Sequence, residues 1–385
     1  MSPSTITLLF LAFAIVSFIL EKIPLGLTAT IVAIGLNLTG VLSNSDTFAG
    51  YVNSNVILCV GMFVVGQALF ETGMANKIGG LVTKFAKSER MLIVAVMTIV
   101  GIMSGFLSNT GTAAVLIPVV CGIADESGYS RSRLLMPLVF AAALGGNLSI
   151  IGAPGNLMGV NALQEMGIAT SFFMYAPVGV PMLVLGIVFY AVIGYKLLPD
   201  VPNNEGSYDA ASLQTADFSD VPAWKTWLSI GVMVLTLLGM IFEKQIGIKL
   251  HFMAIIGAII VVATGCLTVK QASHAIPTSG LIIYAALVPV AKAMTNSGAA
   301  DLISNAAQTL FSSVGSPLLI VILIFLFVTP LTQFMSNAAT IILLTPIALL
   351  VSSALSINPK AMLTAVRFAA SIAIATPVAM PANSM

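Results

Sequence analysis

Two short polar stretches in an almost wholly apolar chain carry the residue types that bind ions. Ser108-Asn109-Thr110 lies between the uncharged stretches 91–107 and 111–124, and Ser336-Asn337-Ala338 repeats the pattern 228 residues later. In both, a proline follows ten residues after the serine, at Pro118 and Pro346. Hydroxyl, amide and carbonyl oxygens are the ligands a hard cation takes. Ser104 and Ser108 are four apart, as are Thr332 and Ser336, so each pair shares one helical face. A helix starting after each tip offers free N–H groups and a positive dipole end to an anion. A single copy also has a plainer explanation, in which Ser and Thr bond back to their own helix and Asn packs. Two copies, each followed by a Pro-x-Asn break (Pro154 and Asn156; Pro381 and Asn383), favour a binding site built from interrupted membrane helices.

Composition says what must position these residues. Of 385 residues, 58% are apolar and 8% charged, and the mean hydropathy is +1.06. Soluble domains carry about 25% charged residues, so the chain reads as an all-α polytopic membrane protein. The net charge of +1 and the lack of a basic cluster give no sign of a nucleic-acid partner. Cys59, Cys121 and Cys266 lie in apolar runs without metal-ligand spacing. Spans are expected at 5–20, 24–42, about 55–70, 133–148 and 172–196, with a polar loop at 43–54. Residues 74–88, with Lys77, Lys84 and Lys87 among apolar positions, suit a helix lying in the interface. The stretches 91–107 and 111–124 read as a re-entrant hairpin, because polar backbone at membrane depth needs protein or a water-filled cavity around it. Gly145-Gly146-Asn147 and Gly152-Ala153-Pro154-Gly155-Asn156 should break the fourth span and free its carbonyls. Residues 199–227 form a hydrophilic linker, and Trp224 and Trp227 mark the membrane interface after it.

The second half repeats the first. Gly40-Val41-Leu42 aligns with Gly265-Cys266-Leu267, and Thr72-Gly73 with Ser297-Gly298, both at an offset of 225. Phe140-Ala141-Ala142 aligns with Phe368-Ala369-Ala370 at 228, and Pro154-x-Asn156 with Pro381-x-Asn383 at 227. A nearly constant offset marks a duplicated unit: residues 5–198 as the first repeat, 199–227 as a cytoplasmic linker and 228–385 as the second repeat. Five spans per repeat force the second to be inverted. With the 71–90 segment inside, ten Lys and Arg residues are cytoplasmic and four outside, which places the N-terminus outside an inner (cell) membrane. About forty residues follow Asn156 in the first repeat, whereas two follow Asn383. The second repeat is therefore expected to be truncated, and the chain to be a fragment or an inactive truncation.

The Ser-Asn-Thr tip, the Gly-x-Pro-x-Asn break and their repetition resemble the divalent anion/sodium symporter family of the ion-transporter superfamily, over nearly the whole chain. The resemblance implies two inverted repeats, each with a re-entrant hairpin and a broken transmembrane helix, in a homodimer that moves its site across the membrane as an elevator. It implies a first sodium site at Ser104, Ser108, Asn109 and the Gly152 carbonyl, and a second at Thr332, Ser336, Asn337 and the Ala379 carbonyl. The anion, a di- or tricarboxylate or sulfate, would be held by Asn109, Thr110, Pro154, Asn156, Asn337, Pro381 and Asn383. The second tip departs from the pattern, since Ala338 stands where the hydroxyl of Thr110 would recur.

What is missing narrows the chemistry. None of the fourteen Asp and Glu residues falls mid-span, and proton-driven carriers depend on intramembrane carboxylates or histidines. No nucleophile–base pair, metal-binding set or redox centre supports an intramembrane enzyme. Sodium-coupled import of a divalent anion is the expected function. A sodium-independent carboxylate exchanger on the same scaffold is the alternative, and an intramembrane enzyme the remote one. No cofactor is expected beyond sodium as coupling ion; the partners are the small anion, sodium and membrane lipid. Arg367, inside the last span, is expected to pair with backbone carbonyls or to reach the outer interface. A fixed charge placed behind the groups that hold the anion is the other reading of it.

Overall fold

The computed structural model describes residues 1–20, 22–74, 88–201, 221–276, 278–312, 314–376 and 379–384. The interfacial segment with Lys77, Lys84 and Lys87, and most of the 199–227 linker, lie outside the described residues. The described residues are helical, with no strand. The main helices of the first half are α1 (Pro3–Leu20), α2 (Leu25–Leu38), α3 (Ser54–Glu71), α4 (Glu89–Ser104), α5 (Asn109–Ser127), α6 (Arg131–Gly145), α7 (Pro154–Glu165) and α8 (Ala176–Phe189). The second half has α9 (Ala223–Ile241), α10 (Leu250–Ala263), α11 (Thr278–Ser297), α12 (Ala299–Phe311), α13 (Pro317–Phe334), α14 (Asn337–Ala354) and α15 (Pro359–Ser371). By length and composition, eight stretches of the described residues are long and apolar enough to cross a membrane.

Local differences from expectation have local causes. The 24–42 span is a helix of 14 residues, about 21 Å long and short of a full crossing. It stops because the Thr39 hydroxyl bonds back to Gly35 and Leu36, and Gly40 takes φ +78°. The 43–54 loop holds a short helix, Asn44–Phe48, capped by the Ser43 hydroxyl, and a 3-10 turn, Ala49–Val52. The 172–196 span starts at Ala176 and passes through a π-helical turn, Tyr190–Gly194. Trp224 and Trp227 open α9 and are exposed, as an interfacial pair should be.

The chain forms two compact units. The first comprises Met1–Ile57, Pro154–Thr170 and Pro277–Met380; the second comprises Leu58–Ala153, Ser171–Ile276 and Pro381–Met385. In the second unit α4 buries Leu92, Ile93, Val96, Met97, Val100 and Gly101, a helix-period stripe that packs on α6. Small residues bring these two backbones together: a Cβ on Gly145 would lie 2.1 Å from the Gly101 carbonyl oxygen. In the first unit α14 is the most enclosed helix, packed by α7, α12 and α15.

Positive backbone φ recurs at the offsets seen in the sequence. Gly40 and Gly265, and Gly73 and Gly298, have positive φ at the offset of 225. Gly128 ends α5 at φ +72°, and 228 residues later Ser356 takes φ +53° without being glycine. The same turn is thus kept where a side chain makes it costlier.

Candidate functional site

The first tip is made by the end of α4, the start of α5 and the break after α6, all in the second unit. Ser108 has an extended backbone (φ −69°, ψ 146°) and its hydroxyl accepts from the Gly111 N–H at 2.9 Å, so it caps α5. Ser104, the last residue of α4, is fully buried; its hydroxyl lies 2.6 Å from the Ala142 carbonyl oxygen and 3.0 Å from Asn109 Oδ1. A hydroxyl has one proton and can donate to only one of them. The edge of the Asn109 amide facing Ser104 also faces the carbonyls of Ala142 and Gly152, with the terminal atom 3.0 Å from Ser104 Oγ and 3.2 and 2.9 Å from the two carbonyls. Two arrangements suit this amide edge: the NH2, with two protons, donates to two of the three oxygens, or Oδ1 joins them around a cation. Ser149, inside the break, donates to the Gly105 carbonyl and ties the interrupted segment to the end of α4.

The second tip repeats this pattern within the first unit. Ser336 caps α14 by accepting from Ala339 N–H at 3.3 Å. Thr332 donates to the Ala370 carbonyl at 3.0 Å, the counterpart of Ser104 on Ala142. Thr376 donates to the Gln333 carbonyl, the counterpart of Ser149 on Gly105. The Asn337 N–H donates to the Ala379 carbonyl at 2.9 Å. Asn337 is 8% exposed, and its Oδ1 has no hydrogen-bond partner among the described residues. A buried amide oxygen left unpaired is costly, so the atom is suited to an added donor or a cation. Gln333 has no counterpart in the first half, where Gly105 stands; its side chain donates to Thr329 and Ile372 carbonyls and accepts from Ala375 N–H.

The expected site residues fall into two sets, one per unit. Ser104, Ser108, Asn109, Thr110, Gly152, Pro381 and Asn383 belong to the second unit, and the short 3-10 helix Pro381–Ser384 packs beside α5. Thr332, Ser336, Asn337, Ala379, Pro154 and Asn156 belong to the first, where α7 starts at Pro154 and packs on α14. A Cβ on Gly155 would lie 2.8 Å from the Ile341 side chain. In each unit, the tip of one half thus lies with the segment that follows the break of the other half.

Sequence reasoning missed several residues. The carbonyls of Ala142 and Ala370 carry the tip hydroxyls, but backbone acceptors have no residue-type signature. Gln333, Ser149 and Thr376 were ordinary polar residues in sequence. Arg367 is 2% exposed and its Nε donates to Asn156 Oδ1 at 2.7 Å. The expectation that it reaches the outer interface is therefore corrected: it is held in the protein by a buried side-chain amide.

Comparisons with known proteins fit these observations. The citrate transporter family pattern, CitMHS, matches residues 15–369. The chain is 36% identical over 202 residues to the uncharacterized transporter YfbS of Escherichia coli, covering 51% of this chain and 33% of that protein. It thus spans about one third of that relative's length. It is 24% identical over 405 residues to the sodium-dependent dicarboxylate transporter SdcS of Staphylococcus saprophyticus, covering 96% of this chain and 77% of that one. The crystal structure of the YdaH transporter from Alcanivorax borkumensis, described as having an unusual topology, shares the fold at a TM-score of 0.58 and 15% identity, over 97% of this chain and 88% of that one. With the family pattern covering almost its whole length, this chain belongs to the citrate transporter family.

Proposed function

We propose that the chain is the carrier of a sodium-coupled importer for a divalent organic anion, a di- or tricarboxylate, or for sulfate, working by an elevator-type movement of inverted repeats in a homodimer. The observation that carries this reading is the pair of tips. One presents an amide edge to three oxygens, and the other a buried amide oxygen without a partner among the described residues. Hard-cation ligation accounts for both. The helix N-termini beside them, at Asn109, Asn337 and Pro154, supply N–H groups for an anion. The sodium-dependent name of one relative and the citrate name of the family support the same substrate class.

Coupling follows from charge. Moving a dianion inward against about 100 mV, negative inside, costs about 4.6 kcal/mol at 2.3 per charge. Two sodium ions, one at each tip, only neutralise it. Uptake is expected to need at least two sodium ions per anion. The test is uptake of succinate, citrate and sulfate by the protein in proteoliposomes, with sodium replaced by choline. Uptake should fall to background without sodium and rise more than linearly with it. Undiminished exchange in choline would establish the sodium-independent exchanger instead, and strictly first-order dependence on sodium would remove one of the two ions.

A further inference from the structure

We propose that Arg367 is a positioning residue of the anion site that acts through Asn156 and sets its preference for divalent over monovalent anions. This rests on the transport reading above.

Three observations meet here. First, Arg367 is held inside the protein, 2% exposed, on the buried face of α15 beside Leu363, Val366 and Phe368. A permanent cation at membrane depth is costly, and such residues are retained for function. Second, its Nε–H donates at 2.7 Å to Oδ1 of Asn156, which is itself 1% exposed. A hydrogen bond from a cation is stronger than one between neutral groups. It fixes which edge of the amide is which: Oδ1 is turned to the arginine, and the NH2 edge faces the other way. The other edge of an amide held so carries donors, the type of group that an anion takes. Asn156 lies in the first turn of α7, where the helix N-terminus adds to the positive potential.

Third, the fold itself does not require an arginine at this place. The equivalent position in the first half, 228 residues earlier, is Val139, an apolar side chain that is half-buried. The asymmetry accompanies another in the same half. The second tip has Ala338 where the first has Thr110, so it has lost a hydroxyl donor and gained a fixed cation in the helix that leads to its break. By polarising the amide that it holds, the guanidinium makes the NH2 a stronger donor, and the gain grows with the charge on the anion, which is how it would discriminate between a dianion and a monoanion.

The experiment uses the full chain in proteoliposomes, with succinate or citrate as the transported anion and lactate as the monovalent competitor. Arg367→Met removes both charge and donor, Arg367→Gln keeps a donor, and Arg367→Lys keeps the charge. The expected result is a KM raised at least about tenfold in the methionine variant with kcat changed less than about threefold, and partial rescue by lysine. The advantage of the dianion over lactate should shrink in the same order. In an Asn156→Ala background, Arg367→Gln and Arg367→Lys should each add less than about twofold, because a residue acting through Asn156 has nothing left to act on. An unchanged KM in the methionine variant overturns the proposal. So does a full multiplicative effect in the Asn156→Ala background, which stays measurable with glutamine and lysine if the methionine variant does not fold. Failure of the unaltered protein to take up any of the anions would overturn the transport reading itself, a result distinct from a variant that transports like its parent.

Discussion

Alanine at Asn337 is expected to leave the protein folded while reducing uptake about 100-fold, the scale of losing one hydrogen bond or ligand to a charged group. The reason lies in what the side chain does not do. Its Oδ1 has no partner among the described residues, and the backbone N–H that holds Ala379 survives the substitution. Truncation therefore removes a ligand without orphaning an acceptor. Asn109→Ala should reduce uptake as strongly but cost more stability, because Ser104, fully buried, lies 3.0 Å from the Asn109 amide. Thermal unfolding measured with and without sodium separates the two effects. A ligand that binds only the folded protein raises the midpoint, and that rise should shrink in each variant, because each keeps the other tip. Near-normal uptake by Asn337→Ala would remove this residue from the site.

Gly146→Ala is expected to reduce uptake at least about tenfold without altering any ligand, since small misplacements of a positioned group cost this much or more. A Cβ there would lie 2.0 Å from Asn109 Oδ1 and 2.7 Å from its Cγ, so the amide must move away from the carbonyls it faces. The sodium concentration for half-maximal uptake should rise in parallel. Gly122→Ala is the matched control on α5, because its Cβ would meet nothing within 4 Å. Replacing a mid-helix glycine there should stabilise the helix by about 1 kcal/mol and leave uptake unchanged. Equal behaviour of the two variants, measured by uptake at graded sodium, would contradict the placement of Asn109.

The readable parts of this molecule were those where a residue type clashes with its surroundings. Asn109 and Asn337 stand out because amides interrupt long apolar runs, and Gly145 to Asn156 stands out because glycine and proline end a helix. The helices around them follow from composition. Residues whose role comes from a distant partner were not readable. The Arg367–Asn156 bond joins positions 211 apart, and an arginine in an apolar helix fits a snorkelling side chain equally well until its partner is seen. The carbonyls of Ala142 and Ala370 and the cap hydroxyls of Ser108 and Ser336 show the same limit in miniature. Spacing puts Ser104 and Ser108 on one helical face, but α4 ends at Ser104 and Ser108 caps α5, its hydroxyl accepting from the Gly111 N–H.

The path of the chain through its two units has a consequence for how the protein is made. It passes from one unit to the other five times, at 57–58, 153–154, 170–171, 276–277 and 380–381. Neither unit is therefore a contiguous product of translation. The helix bearing Asn156 is synthesised 211 residues before the arginine that binds it. At about 5–20 residues per second, its buried amide waits roughly 10 to 40 s for that partner. For most of this interval α14 and α15, against which α7 will pack, do not yet exist. Assembly of the first unit is thus set by the last third of the chain, and the early helices must be held in the membrane as independently stable segments until it arrives.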